Sequence, residues 1–106
     1  MNVKDLETAC GSATALLKAM SNPRRLMILC HLLDGEKSAD EIERLVGLRQ
    51  SAMSQHLARL RREGLVRTRR EGQSIFYALA AEEPREVIGV LYRLFCGPTE
   101  RRASAG

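Results

Sequence analysis

The segment that decides the fold runs from residue 38 to residue 79 and reads SADEIERLVGLRQSAMSQHLARLRREGLVRTRREGQSIFYAL. Its first part predicts a short helix, because Ser38 and Glu41 have the spacing of a capping box, which satisfies the free N–H groups at a helix start. Three apolar residues follow at helical spacing, namely Ile42, Leu45 and Val46. Gly47 is expected to end this helix, because glycine readily adopts the left-handed conformation found at helix C-termini.

A second helix is predicted over residues 50–63, ending at Gly64. Its apolar residues at helical spacing are expected to face the core, and they are Met53, Leu57 and Leu60. The opposite surface carries hydrogen-bonding side chains, namely Gln50, Ser51, Ser54, Gln55 and Arg59. Gln pairs with adenine and Arg with guanine or phosphate, and a recognition helix presents its N-terminal residues to base edges. A solvated helix surface has a similar composition, so the helix alone leaves both interpretations open.

A basic β-hairpin is predicted directly after this helix. Two β-prone runs, 65–66 and 75–77, flank three arginines and a Glu71-Gly72 turn. Such a hairpin is suited to gripping phosphates, so residues 38–79 predict a winged helix-turn-helix that reads double-stranded DNA. The side chains expected to contact DNA are Arg49, Gln50, Ser51, Ser54, Gln55, His56, Arg59, Arg67, Arg69, Arg70 and Gln73.

The charge distribution agrees with this prediction. Residues 49–79 contain seven arginines and two glutamates, a balance of +5, whereas the whole chain carries +4. All other residues therefore sum to −1, and the positive charge lies where the motif places the DNA. Such a patch supplies the salt-dependent, sequence-independent share of affinity.

Size and composition narrow the class of protein further. The 106 residues suit one small domain with a modest core, and such chains often gain stability by oligomerising. Only four aromatic residues are present, which disfavours the base-stacking platforms of single-strand and RNA binders. No apolar run is long enough to span a bilayer, and the N-terminus lacks a signal-peptide core. We therefore expect a cytoplasmic protein without a membrane partner, whose three cysteines are reduced.

Residues 38–79 are called the reading head here, and the segments outside it predict a dimer. Residues 3–20 are expected to form one helix with an apolar stripe of the coiled-coil kind. The last helix, predicted over 85–96, is apolar over much of its circumference and needs a second covering surface. The residues assigned to the dimer interface are Leu6, Cys10, Ala13, Leu17, Ile88, Leu91 and Phe95. The predicted fold is thus mainly α with a β-hairpin wing, homodimeric, with five helices over residues 1–98 and a frayed tail over 99–106.

The second predicted helix, 24–33, follows a cap at Ser21 or Asn22 and a proline at its first turn. Cys30 falls on its buried face, and by pattern alone both Cys30 and Cys10 suit small apolar fillers. His31 points away from Cys30, because adjacent residues on a helix do not face each other. A Cys-His catalytic pair is therefore not indicated.

The chain resembles ArsR/SmtB-family repressors over about residues 10–96. The resemblance rests on the runs 16–33, 54–57 and 60–66, together with the wing and the last helix. It implies a homodimer that represses its promoter until an inducer binds, often a metal. The metal-site patterns of the family are absent, because residues 38–46 contain no cysteine and residues 85–96 contain no histidine.

A narrower branch resembles the chain more closely. The runs 26–30, 48–57, 69–77 and 90–96 are similar to BigR/SqrR-type repressors, which respond to reactive sulfur species and control sulfide-detoxification genes. The resemblance implies that Cys30 and Cys96 form the sensing dithiol, with persulfide or polysulfide as inducer. Such a pair reacts by thiolate attack on sulfane sulfur, followed by closure of a bridge. No cofactor and no metal is predicted.

Three alternatives remain open from the residues. A metal-responsive or general thiol-redox repressor is the first, although zinc prefers four ligands and Cys30 and Cys96 offer two thiolates, with His31 or Cys10 as weak additions. A winged-helix module for protein interaction is the second, and the arginines argue against it. A thiol enzyme is the third, but no Cys-x-x-Cys motif, positioned base or Gly-rich phosphate loop supports it.

Overall fold

Six helices and three strands make up residues 1–97, the part of the chain that the computed structural model describes. In chain order they are α1 (Val3–Thr8), α2 (Cys10–Met20), α3 (Pro23–His31), β1 (Lys37–Ser38), α4 (Ala39–Val46), α5 (Gln50–Arg62), β2 (Val66–Glu71), β3 (Ser74–Leu79) and α6 (Glu83–Phe95). The predicted tail over 99–106 lies outside the described residues.

The helix-turn-helix unit forms from the local signals in the sequence. The Ser38 hydroxyl accepts a hydrogen bond from the Glu41 N–H at 3.1 Å and so caps α4. Gly47 ends α4 at φ 76°, a left-handed conformation that favours glycine. The inward residues of α5 are buried as predicted, and they are Met53, Leu57 and Leu60.

The wing is part of a three-stranded antiparallel sheet with strand order β1-β3-β2. β2 and β3 pair from Val66 opposite Leu79 to Glu71 opposite Ser74, and Gly72 turns between them at φ 61°. The residues before α4, 34–37, suggest a turn by sequence, but Lys37 pairs with Tyr77 as part of β1. A two-residue strand leaves no alternating pattern by which the sequence could reveal it.

The first helix is interrupted, contrary to the prediction of one helix over residues 3–20. Ala9 lies between α1 and α2 with φ −91° and ψ 2°. The Thr8 hydroxyl donates to the Lys4 carbonyl at 3.1 Å, a back-bond that tends to bend helices. Leu6 therefore lies on α1, whereas Cys10, Ala13 and Leu17 lie on α2.

The core lies where α3, α4 and α5 meet the base of the wing. Its buried apolar residues are Ala19, Met20, Ile28, Leu29, Leu32, Ile42, Val46, Met53, Leu57, Leu60, Leu65, Val66 and Ile88. Ile88 was expected at the dimer interface, but only 6% of it is exposed, because it packs against this core within its own subunit. The N-terminal half of α6 is further held to the turn after α3, since the Arg85 guanidinium donates to the Leu33 carbonyl at 2.8 Å.

Candidate nucleic-acid interface and cysteine pair

The exposed face of α5 carries four of the residues predicted to read DNA. Gln50, Ser51, Ser54 and Gln55 are all exposed in the first turns of the helix. Arg49 precedes them as the N-cap residue and is also exposed. This is the surface that a recognition helix presents to base edges, with amide and hydroxyl groups able to donate and accept.

His56 and Arg59 differ from these four residues. Both are only partly exposed, on the side of α5 that faces α2 and α3. Burial lowers the pKa of His56, and the positive charges of Arg25 and Arg24 lower it further. The neutral form of His56 is therefore favoured.

Two of the three wing arginines, Arg67 and Arg69, make hydrogen bonds within the protein. The Arg67 guanidinium donates to the Leu79 carbonyl at 2.7 Å. Arg69 donates to Glu36 at 2.7 Å and to Glu71 at 2.5 Å, and its guanidinium lies 4.6 Å from the centre of the Phe76 ring. These hydrogen bonds raise the pKa of Arg69. Its charge is thus shared with two carboxylates of the protein, in contrast to the free cation that the sequence suggested.

Arg70 points to the opposite face of the sheet. Side chains alternate along a strand, so Arg70 shares a face with Val66 and Thr68. It lies opposite Ile75, on the face that also carries Tyr77. The Arg70 side chain is exposed and makes no hydrogen bond or ion pair to other residues in the range 1–97. Its guanidinium is therefore available to a phosphate.

A groove separates the recognition helix from the wing. It has a volume of about 240 Å³ and is bounded by α4, the start of α5 and the hairpin. Gln50, Ser54 and Gln73 bring hydrogen-bonding groups to it, whereas Asp40 and Glu43 bring negative charge. The predicted contact residue Gln73 therefore lies beside the reading face of α5.

The two predicted sensor cysteines lie on neighbouring helices. Cys30 is partly buried near the end of α3, and Cys96 is exposed directly after α6. Burial raises the pKa of Cys30, and the negative charge of a Cys96 thiolate raises it further. The contact between α3 and α6 thus puts the two thiols on neighbouring elements, which sequence spacing alone could not establish.

Cys10 is a third free thiol, and it lies apart from this pair. It is exposed at the start of α2, with its sulfur 3.8 Å from the Thr14 hydroxyl oxygen. Within residues 1–97, no three His, Cys, Asp or Glu side chains are grouped so that they could hold a metal ion. The described helices also include none that is long and apolar enough to cross a membrane.

Large apolar side chains remain exposed on α1, α2 and α6. Leu6 of α1, Leu17 of α2 and Phe95 of α6 are exposed by 52%, 58% and 73%, although all three are large and hydrophobic. Cys10 is exposed as well, and Ala13 and Leu91 are partly exposed. Exposed large apolar side chains are typical of surfaces that meet another protein chain when they lie together in a patch.

Comparisons with known proteins identify the family. The model described as bacterial regulatory protein, arsR family, matches residues 22–68. The chain is 52% identical over 96 residues to the transcriptional activator HlyU of Vibrio cholerae, which covers 91% of this chain and 89% of that protein. The chain belongs to the ArsR family. Regulators of this family bind operator DNA and usually act as dimers.

Solved structures agree with this assignment. The transcriptional repressor BigR from Xylella fastidiosa superposes with a TM-score of 0.88 at 39% identity, covering 92% of this chain and all of that one. Reduced HlyU from Vibrio cholerae superposes with a TM-score of 0.81 at 52% identity, covering 88% and 98%. The predicted winged-helix fold and DNA-binding regulatory function are confirmed. The homodimer, the sulfur inducer and the individual DNA contacts stay predictions.

Proposed function

We propose that this protein is a repressor that binds operator DNA as a homodimer and releases it when Cys30 and Cys96 form a sulfur bridge within one subunit. The inducer is a persulfide or polysulfide, and the regulated genes serve sulfide detoxification. The observation that carries the proposal is the placement of the two thiols on helices that pack against each other, Cys30 near the end of α3 and Cys96 directly after α6. A bridge within one subunit needs two thiols on neighbouring elements.

The environments of the two cysteines set the order of the reaction. The thiolate is the attacking species, and burial holds Cys30 in its thiol form, whereas Cys96 is open to solvent. Cys96 therefore attacks first, taking the outer sulfur of a persulfide and releasing a thiolate. The Cys96 persulfide takes a second sulfur in the same way. Cys30 then attacks the middle sulfur of this chain, closing a trisulfide bridge and releasing hydrosulfide.

Extra sulfur atoms give this reaction its selectivity. A direct disulfide requires Cα atoms within about 7 Å of each other, whereas a trisulfide spans a longer gap. Peroxide instead produces a sulfenic acid, which can close only to a direct disulfide. A separation between the helices that is too long for a disulfide would favour sulfane sulfur without any dedicated binding pocket.

Bridging would change how the reading head meets DNA. The bridge ties α3, which packs in the core, to the end of α6, whose exposed residues we assign to the dimer surface. A changed angle between α3 and α6 would move the two recognition helices of a dimer relative to each other. A coupling of about 1–3 kcal/mol is typical of such switches and would weaken DNA binding about 5- to 150-fold.

The proposal also states that the protein represses, and does not activate, transcription of its target genes. HlyU of Vibrio cholerae is described as an activator and BigR of Xylella fastidiosa as a repressor, and both are similar to this chain. We assign repression because a bridge that loosens DNA binding most simply relieves a block on transcription. An activator acting through the same release would lower expression of its target when persulfide is added.

The test is a titration of a fluorescent duplex, selected from a random pool by the reduced protein, before and after treatment with glutathione persulfide. Native protein is expected to lose affinity, and Cys30→Ser and Cys96→Ser are expected to keep it. Cys10→Ser is the matched control, because it removes a thiol outside the pair and should respond like native protein. A response that survives in Cys96→Ser, or vanishes in Cys10→Ser, would contradict the proposal.

A further inference from the structure

Two adjacent arginines at the start of α3 each hold the end of a different helix. The Arg25 guanidinium donates to the Ala19 carbonyl at 2.6 Å and to the Lys18 carbonyl at 3.2 Å, in the last turn of α2. The Arg24 guanidinium donates to the Val46 carbonyl at 3.2 Å, at the last residue of α4. Carbonyls at a helix C-terminus lack donors within the helix and carry partial negative charge, so a guanidinium suits them.

The backbone of α3 fixes where these side chains begin. The Asn22 side-chain oxygen accepts from the N–H groups of both Arg24 and Arg25, at 2.9 and 3.1 Å. This cap, with Pro23 in the first turn, holds the start of α3 in one conformation. The two arginines therefore extend toward α2 and α4 from a fixed base.

The recognition helix passes next to the same point. α5 packs against α3, and the charges of both arginines help to lower the pKa of His56 on α5. Val46 is followed by Gly47, which turns the chain toward the start of α5. A bond that fixes Val46 therefore also fixes where α5 begins.

The two arginines differ from the residues that face the DNA side. The groove between α5 and the wing is bordered by residues of β1, α4, α5 and the hairpin, and α3 contributes none of its described lining. Arg25 is partly buried with two of its nitrogens occupied by α2. Arg24 is exposed, but its Nη1 donates to the Val46 carbonyl, so the guanidiniums of both residues make contacts within the protein.

We propose that Arg24 and Arg25 are positioning residues for DNA recognition, which hold the helix-turn-helix unit at a fixed angle to α2 and do not themselves bind phosphate. The inference rests on the proposed recognition of DNA by α5. A reading surface must be held to within about 0.5 Å and 10–20° of its productive geometry. Three hydrogen bonds from one helix start to the ends of α2 and α4 supply that constraint.

The test compares Arg24→Gln with Arg44→Gln, on a selected duplex and on a scrambled one, across a range of salt. Arg44 is the matched control, because it lies exposed in the last turn of α4 and its side chain makes no hydrogen bond or ion pair among residues 1–97. Arg24→Gln is expected to weaken binding to the selected duplex by about tenfold. The affinity of Arg24→Gln for scrambled DNA, and its slope of log affinity against log salt, should equal those of Arg44→Gln.

Arg24→Lys separates positioning from phosphate binding and covers the case in which the glutamine variant folds poorly. Lysine keeps the charge, so a phosphate contact would survive, whereas the shorter reach of its ammonium would lose the bond to Val46. Loss of preference for the selected duplex in Arg24→Lys, at an unchanged salt slope, supports the inference. If Arg24→Gln and Arg24→Lys both keep the native preference for the selected duplex, the inference is overturned. It is also overturned if the slope of log affinity against log salt falls by about 0.9 in Arg24→Gln but not in Arg24→Lys or Arg44→Gln. A native protein that selects no duplex at all would contradict the proposed function as well.

Discussion

The Arg69 guanidinium donates to the Glu36 carboxylate at 2.7 Å and so ties the wing to the turn that follows α3. A second carboxylate, that of Glu71, and the face of the Phe76 ring complete the surroundings of this cation. Arg69 thus stabilises the shape of the wing, whereas Arg70 on the opposite face extends free of partners among residues 1–97. Two adjacent arginines with the same charge are expected to play different parts.

Arg70→Ala should weaken binding to all duplexes to a similar extent. A phosphate contact carries no sequence information, and its loss should reduce the salt slope by about 1. Arg69→Ala is the matched control, because it removes the same charge from a side chain already engaged by carboxylates, and its slope should stay nearer the native value. The measurement is fluorescence anisotropy from low to moderate salt. Equal slopes for the two variants would contradict the distinction.

Gln55→Ala should relax sequence preference. Gln55 is exposed on the reading face of α5, where a glutamine amide can pair with the edge of adenine. Such a pair is worth about 1–3 kcal/mol of discrimination, so the selected duplex should lose about this much while scrambled DNA loses little. The variant can be scored by competition between the two duplexes. An equal loss on both would show that Gln55 does not read a base.

The pH dependence of Cys30 follows from its raised pKa, caused first by burial and then by Cys96. Because the folded-state pKa lies above the unfolded one, the folded chain holds the thiol proton more tightly. The associated stability is fully present below the unfolded pKa and is lost as pH rises through the folded pKa. Alkylation of Cys30 should therefore reach half its maximal rate at a higher pH than in an unstructured peptide.

Cys96→Ser removes one of the two causes of this shift. Its Cys30 alkylation profile should move to lower pH, whereas that of Cys10→Ser should match the native profile. Iodoacetamide labelling followed by peptide mapping measures both. An unchanged profile in Cys96→Ser would mean that the two sulfur atoms do not interact, and the proposed bridge would lose its support.

Phe95→Glu should dissociate the proposed homodimer. Phe95 is 73% exposed in the subunit, and burying a charge at an apolar interface is costly. Leu45→Glu is a suitable control, because Leu45 is also large and exposed, by 46%, but lies on α4 away from α1, α2 and α6. Sedimentation velocity should show a monomer for the first and a dimer for the second. If both variants sediment as dimers, the interface does not include Phe95.

Local signals in the sequence were sufficient for the reading head. Ser38 caps α4, Gly47 ends it in the left-handed region, and Met53, Leu57 and Leu60 are buried as their spacing predicts. Each of these features depends on residues within one or two helical turns. Patterns of this kind can be read without knowing the tertiary structure.

Features that depend on distant contacts were not predictable. Glu36 lies 33 residues from Arg69, and no local pattern joins them. His56 sits among exposed reading residues in sequence, yet it is partly buried, and its pKa is lowered by that burial and by the charges of Arg25 and Arg24. Ile88 fits an apolar interface stripe equally well, but it packs in the core of its own subunit. Which side of a helix meets a partner is set by tertiary packing.

The most direct measurement is mass spectrometry of the reduced protein, as intact mass and as mapped peptides, after separate exposure to glutathione persulfide, hydrogen peroxide and zinc. The account predicts a Cys30–Cys96 crosslink that carries extra sulfur and forms only with the persulfide, while Cys10 stays outside the bridge. Thiols that persulfide leaves unbridged, together with tight zinc binding, would contradict the account and indicate a metal-responsive regulator instead.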